Sequence, residues 1–570
     1  DNNYLYTIAQ FFPRMCVYND HEGWQHKQFL GGGEFTLPFG DYNVSITVPA
    51  DHVVGATGYC QNYSSVLTPT QINRLNEAKN ANEPVIIISQ HEAEENEKEG
   101  TEKTKTWKYK ATNVRDFAFA TSRKFIWDAM GVEIGGKTVL AMSYYPKEGN
   151  PLWEQYSTRA VAQTLRTYSK HTIDYPYPVA ISVHAKSIGM EYPMICFNFG
   201  RPEQDGTYSE EAKNRMIMVI IHEVGHNFFP MIINSDERQW TWMDEGLNTF
   251  VQYLTEREWD HDFDSRRGPA YKIVDYMSGA AGASVPIMTN SESLIQFGNN
   301  AYGKPATALN ILRETVMGRD LFDHAFKEYA RRWAFKHPTP ADFFRTMEDA
   351  SAVDLDWFWR GWFYTTDNCD QSLDAVKWFK TDTKDPKIEN DLKREKITDN
   401  DRFITTIRNK NKETLADIDP KSRDFYNEYD PYKTTLLDVN DYEKYKNNMG
   451  KDLNMVNADK NYYQIDLSSP GELVMPVILE FEFSDGSKAE HRIPAEIWRK
   501  NDKRVSKVFV TEKEIVRVSL DPHLEIADID RSNNNWPAKA EPTRFELFKD
   551  QQREKENKMQ RDKRGKQLNK

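Results

Sequence analysis

Met216-Ile217-Met218-Val219-Ile220-Ile221-His222-Glu223-Val224-Gly225-His226 is the most informative stretch of the chain. Ahead of it, Thr207 and Glu210 stand at capping-box spacing, so a helix is predicted to begin there. Pro230 lacks an amide hydrogen and is predicted to end that helix near Phe229. On such a helix His222 and His226, four residues apart, lie one above the other on a single face. That spacing lets two imidazoles reach one tetrahedral Zn²⁺ at about 2.0–2.1 Å each. Glu223 is one step round the helix, beside the ion rather than on it, where it can take a proton from a metal-activated water. The competing reading is a buried apolar helix whose two histidines are satisfied core residues.

A second stretch favours the metal. In Trp240-Thr241-Trp242-Met243-Asp244-Glu245-Gly246-Leu247-Asn248-Thr249-Phe250-Val251, positions 243, 246, 247, 250, 251 and 254 make an apolar helical stripe. Glu245 sits at the edge of that stripe, where a carboxylate is costly unless it is paired or bound to metal. Two histidines and one glutamate form a known catalytic zinc set that leaves the fourth position for water. Asp244, or a neighbour, is then expected to orient a ligand histidine.

Composition fits an enzyme of this kind and excludes several other classes. The chain has 570 residues, 39% of them hydrophobic and 13% aromatic, which excludes a disordered or fibrous protein. With 74 Lys and Arg against 87 Asp and Glu, the net charge is −13, so a general nucleic-acid binder would work against its own field. The longest aliphatic run, Met216 to Ile221, is too short to span a bilayer. Cys16, Cys60, Cys196 and Cys369 show neither CxxC nor framework spacing, which argues against a cysteine zinc site or a disulfide scaffold. Asp1-Asn2-Asn3 opens the chain without a signal peptide, as a processed or truncated N-terminus also would, so the compartment stays open.

The hydrophobic pattern divides the chain into a multidomain α+β protein. Residues 1–115 read as a β-domain, with strands at Asn43–Val48, Val85–Ile88 and Trp107–Lys110. The charged run Glu92 to Lys105 reads as the solvated tip of a long hairpin between the last two. Helical periodicity dominates 116–375, interleaved with short strands such as Val139–Ser143. Residues 376–460 read as a polar connecting region with a few short helices. Strands return over 461–535, with Asp485-Gly486 as a hairpin turn, in the pattern of a small β-sandwich. Residues 536–570 read as a charged tail, a solvated helix or frayed end.

His222-Glu223-x-x-His226, eighteen residues, then Glu245 in Trp-Met-Asp-Glu-Gly resembles the aminopeptidase N family of gluzincins, which includes leukotriene hydrolase/aminopeptidase. Gly189-Met190-Glu191-Tyr192-Pro193 resembles the family's Gly-x-Met-Glu-Asn substrate motif on an edge strand. Ala301-Tyr302-Gly303-Lys304 resembles its Tyr-x-Lys element, and Asp116-Phe117-Ala118 the strand leading into the catalytic domain. The likeness is good over 116 to 375 and looser in the flanks. It implies a thermolysin-like, mainly helical catalytic domain at 116–375 between a β-domain and a C-terminal β-sandwich, and one Zn²⁺ per chain on His222, His226 and Glu245. Glu223 is implied as the base and Tyr302 as the donor to the oxyanion. Glu191 is implied to pair with the substrate's free α-ammonium, and main-chain groups of Gly189 and Met190 to bind its backbone by strand addition. Tyr192 stands where the family has Asn, and Asn227-Phe228-Phe229-Pro230 where it has Gln-Trp-Phe-Gly; these departures touch substrate preference rather than the chemistry. The part before residue 116 is much shorter than the family's first β-domain, so the chain is expected to begin inside it. Gln10 is the nearest match to a second amine-binding residue.

The expectation is a zinc aminopeptidase acting on peptides with a free N-terminus, with neither nucleic-acid partner nor transmembrane segment. Two alternatives stand beside it: an endopeptidase of the same zinc class, and a catalytically silent scaffold that binds partners.

Overall fold

The apolar run Val179–His184 is buried at every position and forms strand β4 inside a six-stranded sheet. A computed structural model describes residues 3–34, 36–98, 100–280, 282–398, 403–456, 459–539 and 556–568. The other strands of the sheet are β1 Val85–Ile88, β2 Ile126–Ile134, β3 Lys137–Tyr145, β5 Met190–Tyr192 and β6 Ile195–Asn198. Their spatial order is β5-β6-β4-β3-β2-β1. β2 and β3 form a hairpin through Gly135 and Gly136, whose φ values of 56° and 76° suit a two-residue turn that few other residues could make. β3 and β4 pair in parallel and therefore need a crossover, which helix α1 (Leu152–His171) provides. β5 lies antiparallel to β6 at the sheet's edge, with Glu191 opposite Cys196.

Helix α2 (Glu210–Gly225) packs against α1 and carries the first histidine and the glutamate of the motif. Ser209 caps it by accepting from the Ala212 amide (3.0 Å), so the start lies two residues beyond Thr207. The end also differs from expectation. The helix stops at Gly225, with His226 as its C-cap, well before Pro230. Asn227 is the physical reason: its side chain donates to the Val224 carbonyl (3.0 Å) and accepts from the Met194 amide (2.7 Å), tying the helix end to the loop between β5 and β6. Gly225 is required by close approach, since a Cβ there would lie 2.2 Å from the Tyr168 hydroxyl.

Upstream, strands at Gly40–Pro49, Thr104–Val114 and Tyr59–Cys60 make one three-stranded sheet, and Tyr6–Ile8, Phe119–Ser122 and Val53–Ala56 another. The expected hairpin over Glu92 to Lys105 is not formed. Residues Gln90–Lys98 are a helix, and β1 pairs with β2 instead of with Thr104–Val114. Ser89 and Glu92 form reciprocal bonds (Ser89 N to Glu92 Oε2 2.8 Å, Glu92 N to Ser89 Oγ 3.2 Å), a capping box present in the sequence as Ser-x-x-Glu. Asp116-Phe117-Ala118 lies just ahead of the strand Phe119–Ser122, not within it.

Downstream, a three-stranded sheet (Ser372–Lys380, Asn461–Ser468, Arg504–Thr511) and a four-stranded sheet built on Val477–Phe483 enclose a second core of Tyr463, Ile465, Leu479, Phe481 and Val518. Strand Ser372–Lys380 runs across position 376, where aliphatic residues become sparse. Exposed short helices lie between 386 and 449. A last helix, Lys558–Leu568, returns to the start of α2: Asn557 donates to Thr207 Oγ1 (3.0 Å) and Lys558 lies 3.7 Å from Glu210. Among the described residues no helix is long and apolar enough to cross a membrane.

Candidate metal centre

Helix α2 delivers His222 near its end and His226 at its cap. Glu245 comes from a widened π-turn, Trp242–Gly246, that leads into helix α3 (Leu247–Trp259). His222 Nε2 and His226 Nε2 are 3.1 Å apart, and Glu245 Oε2 lies 3.1 Å from the first and 3.3 Å from the second. A regular tetrahedron with ligands about 2.0–2.1 Å from its centre has edges of about 3.3–3.4 Å, close to this triangle.

The surroundings show that the three atoms meet as acceptors. Gln252 donates its amide nitrogen to Glu256 Oε1 (2.6 Å), so its carbonyl oxygen faces His222 Nδ1 (2.8 Å), which must carry the proton. His226 Nδ1 donates to the Phe229 carbonyl (2.8 Å), with Asp244 Oδ1 also 2.8 Å away. Both Nε2 lone pairs therefore point at one place together with a carboxylate oxygen, an arrangement that calls for a cation. Burial acts against the charged form of His226, yet Glu191, Asp244 and Glu245 outweigh it and raise its pKa well above the ordinary value. Burial lowers His222, and acts to raise Glu245, but the two imidazoles hold the Glu245 carboxyl well below the usual range.

Glu223 projects beside the triangle rather than into it. A Cβ at position 189 would come 2.4 Å from Glu223 Oε1, so the carboxylate rests against the Gly189 backbone and only glycine leaves it room. Burial pushes the Glu223 carboxyl well above its ordinary value, and the Glu191 charge adds to the shift. Tyr302 stands in a second π-turn, Gly298–Gly303; its hydroxyl donates to Glu245 Oε1 (2.6 Å) and its ring stacks on His222 with centroids 5.7 Å apart.

Glu191 faces inward from edge strand β5, with Oε1 4.0 Å from His226 Nδ1. Met190 beside it is half-buried on the same strand. Burial pushes the Glu191 carboxyl up to about 7, with His226 opposing the shift and Glu245 and Glu237 adding to it. Two residues that the sequence did not single out complete this corner: oxygens of Glu34, Glu191 and Glu237 lie within 4.8 Å of one another. Arg115 is ion-paired with Glu237. Gly31-Gly32-Gly33 ahead of Glu34 was the available signal, since a Cβ at position 33 would lie 2.7 Å from Arg238 Cα. Gln10 donates instead to the Tyr192 hydroxyl (3.2 Å). A cavity of about 1110 Å³ opens onto His222, Glu223, Gly189 and Tyr302.

Residues 156–362 match the model of the peptidase family M1 domain. Aminopeptidase M1-A of Oryza sativa subsp. japonica is 21% identical over 230 residues, covering 38% of this chain and 26% of that protein. Aminopeptidase N of Canis lupus familiaris is 26% identical over 216 residues, covering 34% of this chain and 21% of that protein. The chain thus matches about a fifth to a quarter of the length of these curated relatives. The crystal structure of Legionella pneumophila aminopeptidase A in complex with aspartic acid aligns with a TM-score of 0.51 at 11% identity, over 92% of this chain and 48% of that one, a likeness of fold with helices and several sheets. The matched residues 156–362 hold the histidine pair, Glu223, Glu245, Glu191 and Tyr302, so the likeness to the peptidase family M1 domain takes in these six positions.

Proposed function

We propose that the protein is a zinc aminopeptidase that hydrolyses the N-terminal bond of peptides. The observation that carries this is the 3.1–3.3 Å triangle of His222 Nε2, His226 Nε2 and Glu245 Oε2, with Glu223 held against Gly189 at its side. These three residues would hold one Zn²⁺, which when bound supplies Lewis acidity and brings the pKa of a water toward 7. Glu223 takes the proton of the attacking water and returns it to the departing amine, and its burial suits a carboxyl that must do both. Tyr302, the neighbour of Glu245, turns its hydroxyl to the developing oxyanion. Glu191 and Glu34 meet the α-ammonium of the peptide, while the free edge of β5 at Gly189 and Met190 pairs with its backbone.

The proposal extends to architecture. Residues 116–375 form a thermolysin-like catalytic domain behind a β-domain at 1–115, which lends strand β1 to the six-stranded sheet and pairs Tyr6–Ile8 and Val53–Ala56 with Phe119–Ser122. They are followed by a polar helical connection at 376–460, whose first residues finish the strand Ser372–Lys380 that pairs with Asn461–Ser468, then by a β-sandwich at 461–535 and a charged tail at 536–570.

A panel of free and N-acetylated peptides, with zinc quantified on the same preparation, tests the reading. Cleavage of the free peptides alone, with about one zinc per chain, is expected. Equal cleavage of acetylated peptides would establish an endopeptidase, and absence of both zinc and cleavage a silent scaffold.

A further inference from the structure

The main cavity has a side recess of about 320 Å³, and the two share Arg266, Arg267 and Lys272 as a wall. The other lining of the recess is Ile273, Gln296, Phe297, Gly298, Asn299, Gly303 and Thr307, so three cations face it and no carboxylate does. Lys272 already has a partner, Asp264 at 3.2 Å. The two arginines do not. Arg266 is exposed, Arg267 is half-buried, and neither makes a hydrogen bond or ion pair with any described residue.

Arg267 is held in place by its surroundings. Gly268 (φ +108°) turns the chain hard against the Tyr253 ring, which a Cβ at 268 would meet at 2.4 Å. The guanidinium lies 4.4 Å over the centroid of the Tyr302 ring, and its Nη2 would be 3.2 Å from a Cβ at Gly298. Stacking uses one face of the guanidinium and leaves its N–H edge open to the cavity. A half-buried guanidinium without a hydrogen-bond acceptor has given up hydration that stacking on a ring replaces only in part. A planar carboxylate is the partner its fork geometry fits, through two parallel charge-assisted bonds.

We propose that Arg266 and Arg267 form a carboxylate-binding subsite that selects peptides carrying a negative charge near the scissile bond. This rests on the aminopeptidase reading above. The carboxylate has two possible sources, an acidic side chain at the first or second residue, or the free C-terminus of a short peptide, and the test separates them.

Three matched peptide pairs serve: Glu-Ala-Ala-amide against Gln-Ala-Ala-amide, Ala-Glu-Ala-amide against Ala-Gln-Ala-amide, and Ala-Ala acid against Ala-Ala-amide. Calorimetric binding to the full-length Glu223→Gln protein and kcat/KM of the unaltered enzyme are measured for each. In at least one pair the acid is expected to exceed its amide by tenfold or more, and the pair that does so identifies the source. Arg266→Ala/Arg267→Gln should bring that ratio within threefold of unity, and Arg267→Lys should restore part of it. Ratios near unity in all three pairs overturn the subsite while leaving the peptidase reading intact. So does a double variant that slows acid and amide equally, which would place Arg267 in support of Tyr302 alone. If no peptide is cleaved, the peptidase reading fails, and the calorimetric ratios still decide the subsite. Unchanged melting temperatures in the variants confirm that folding is not the cause.

Discussion

Glu256 determines which nitrogen of His222 faces the metal locus without touching the ring. Its carboxylate binds the amide nitrogen of Gln252 (2.6 Å), which leaves the Gln252 oxygen to accept from His222 Nδ1 (2.8 Å). Replacing Gln252 by Leu frees the imidazole to take the other tautomer. Zinc affinity should fall about 10–100-fold, the usual cost of losing such a partner. Competition with a chromophoric chelator reads this directly, and unchanged affinity would show that Gln252 does not set the tautomer of the ring.

Glu223→Gln should keep about one zinc per chain and lose about 10²–10⁴ in kcat, since the amide fills the same space but cannot carry the proton. Metal analysis and single-turnover kinetics on one sample check both halves. Loss of zinc together with rate would mean that Glu223 shapes the metal site rather than serving as its base.

Tyr302→Phe removes a donor while keeping the ring against His222 and Arg267. A fall of about 10²–10³ in kcat with little change in KM is expected of a group that acts in the transition state. A rise in KM alone would assign Tyr302 to substrate binding.

Gly189→Ala places a methyl 2.4 Å from Glu223 Oε1 and 2.8 Å from Val219 Cγ2. The side chain of Glu223 must swing away, so turnover should drop at least tenfold while zinc content and melting temperature hold. Activity equal to the unaltered enzyme would show that edge strand β5 can withdraw from α2 at no cost.

Asp128, fully buried in β2, accepts from the Tyr145 hydroxyl (2.6 Å) and from Thr158, and burial pushes its carboxyl up to about 7. A carboxyl raised above its unfolded value stabilises the fold when protonated, and that contribution is lost as pH rises from about 4 through 7. Asp128→Asn removes the titration. Relative to the unaltered protein, its melting temperature should gain more than about 2 °C between pH 5 and pH 8. A constant difference over that range would show that Asp128 stays protonated throughout or that its hydrogen bonds suffice for the charge.

Local spacing made most of the metal centre legible. His222 and His226 are linked by helical period, Glu223 by adjacency, and Glu245 by a charged position on an apolar stripe. Contacts between distant segments were not legible. Glu34 reaches the Glu191 corner from a glycine-rich segment with no periodicity, and Arg267 reaches Tyr302 from a loop. In the fold, the charge of Glu92 to Lys105 concealed a helix because composition outweighed the Ser89–Glu92 capping box. The early end of α2 depended on Asn227 finding Met194, a contact outside any local rule.

Glu245 and Tyr302 share one further property: each sits in a turn of π-helix, Trp242–Gly246 and Gly298–Gly303, and their side chains meet between the two. A π-turn holds one residue more than the α-turn it replaces. Deleting one residue from either would let the helix relax to α geometry and shift its phase by about 100°. The carboxylate or the phenol would then face a different side. These segments can accept many changes of residue type but very few changes of length, so insertions and deletions among relatives should stop at the borders of both turns.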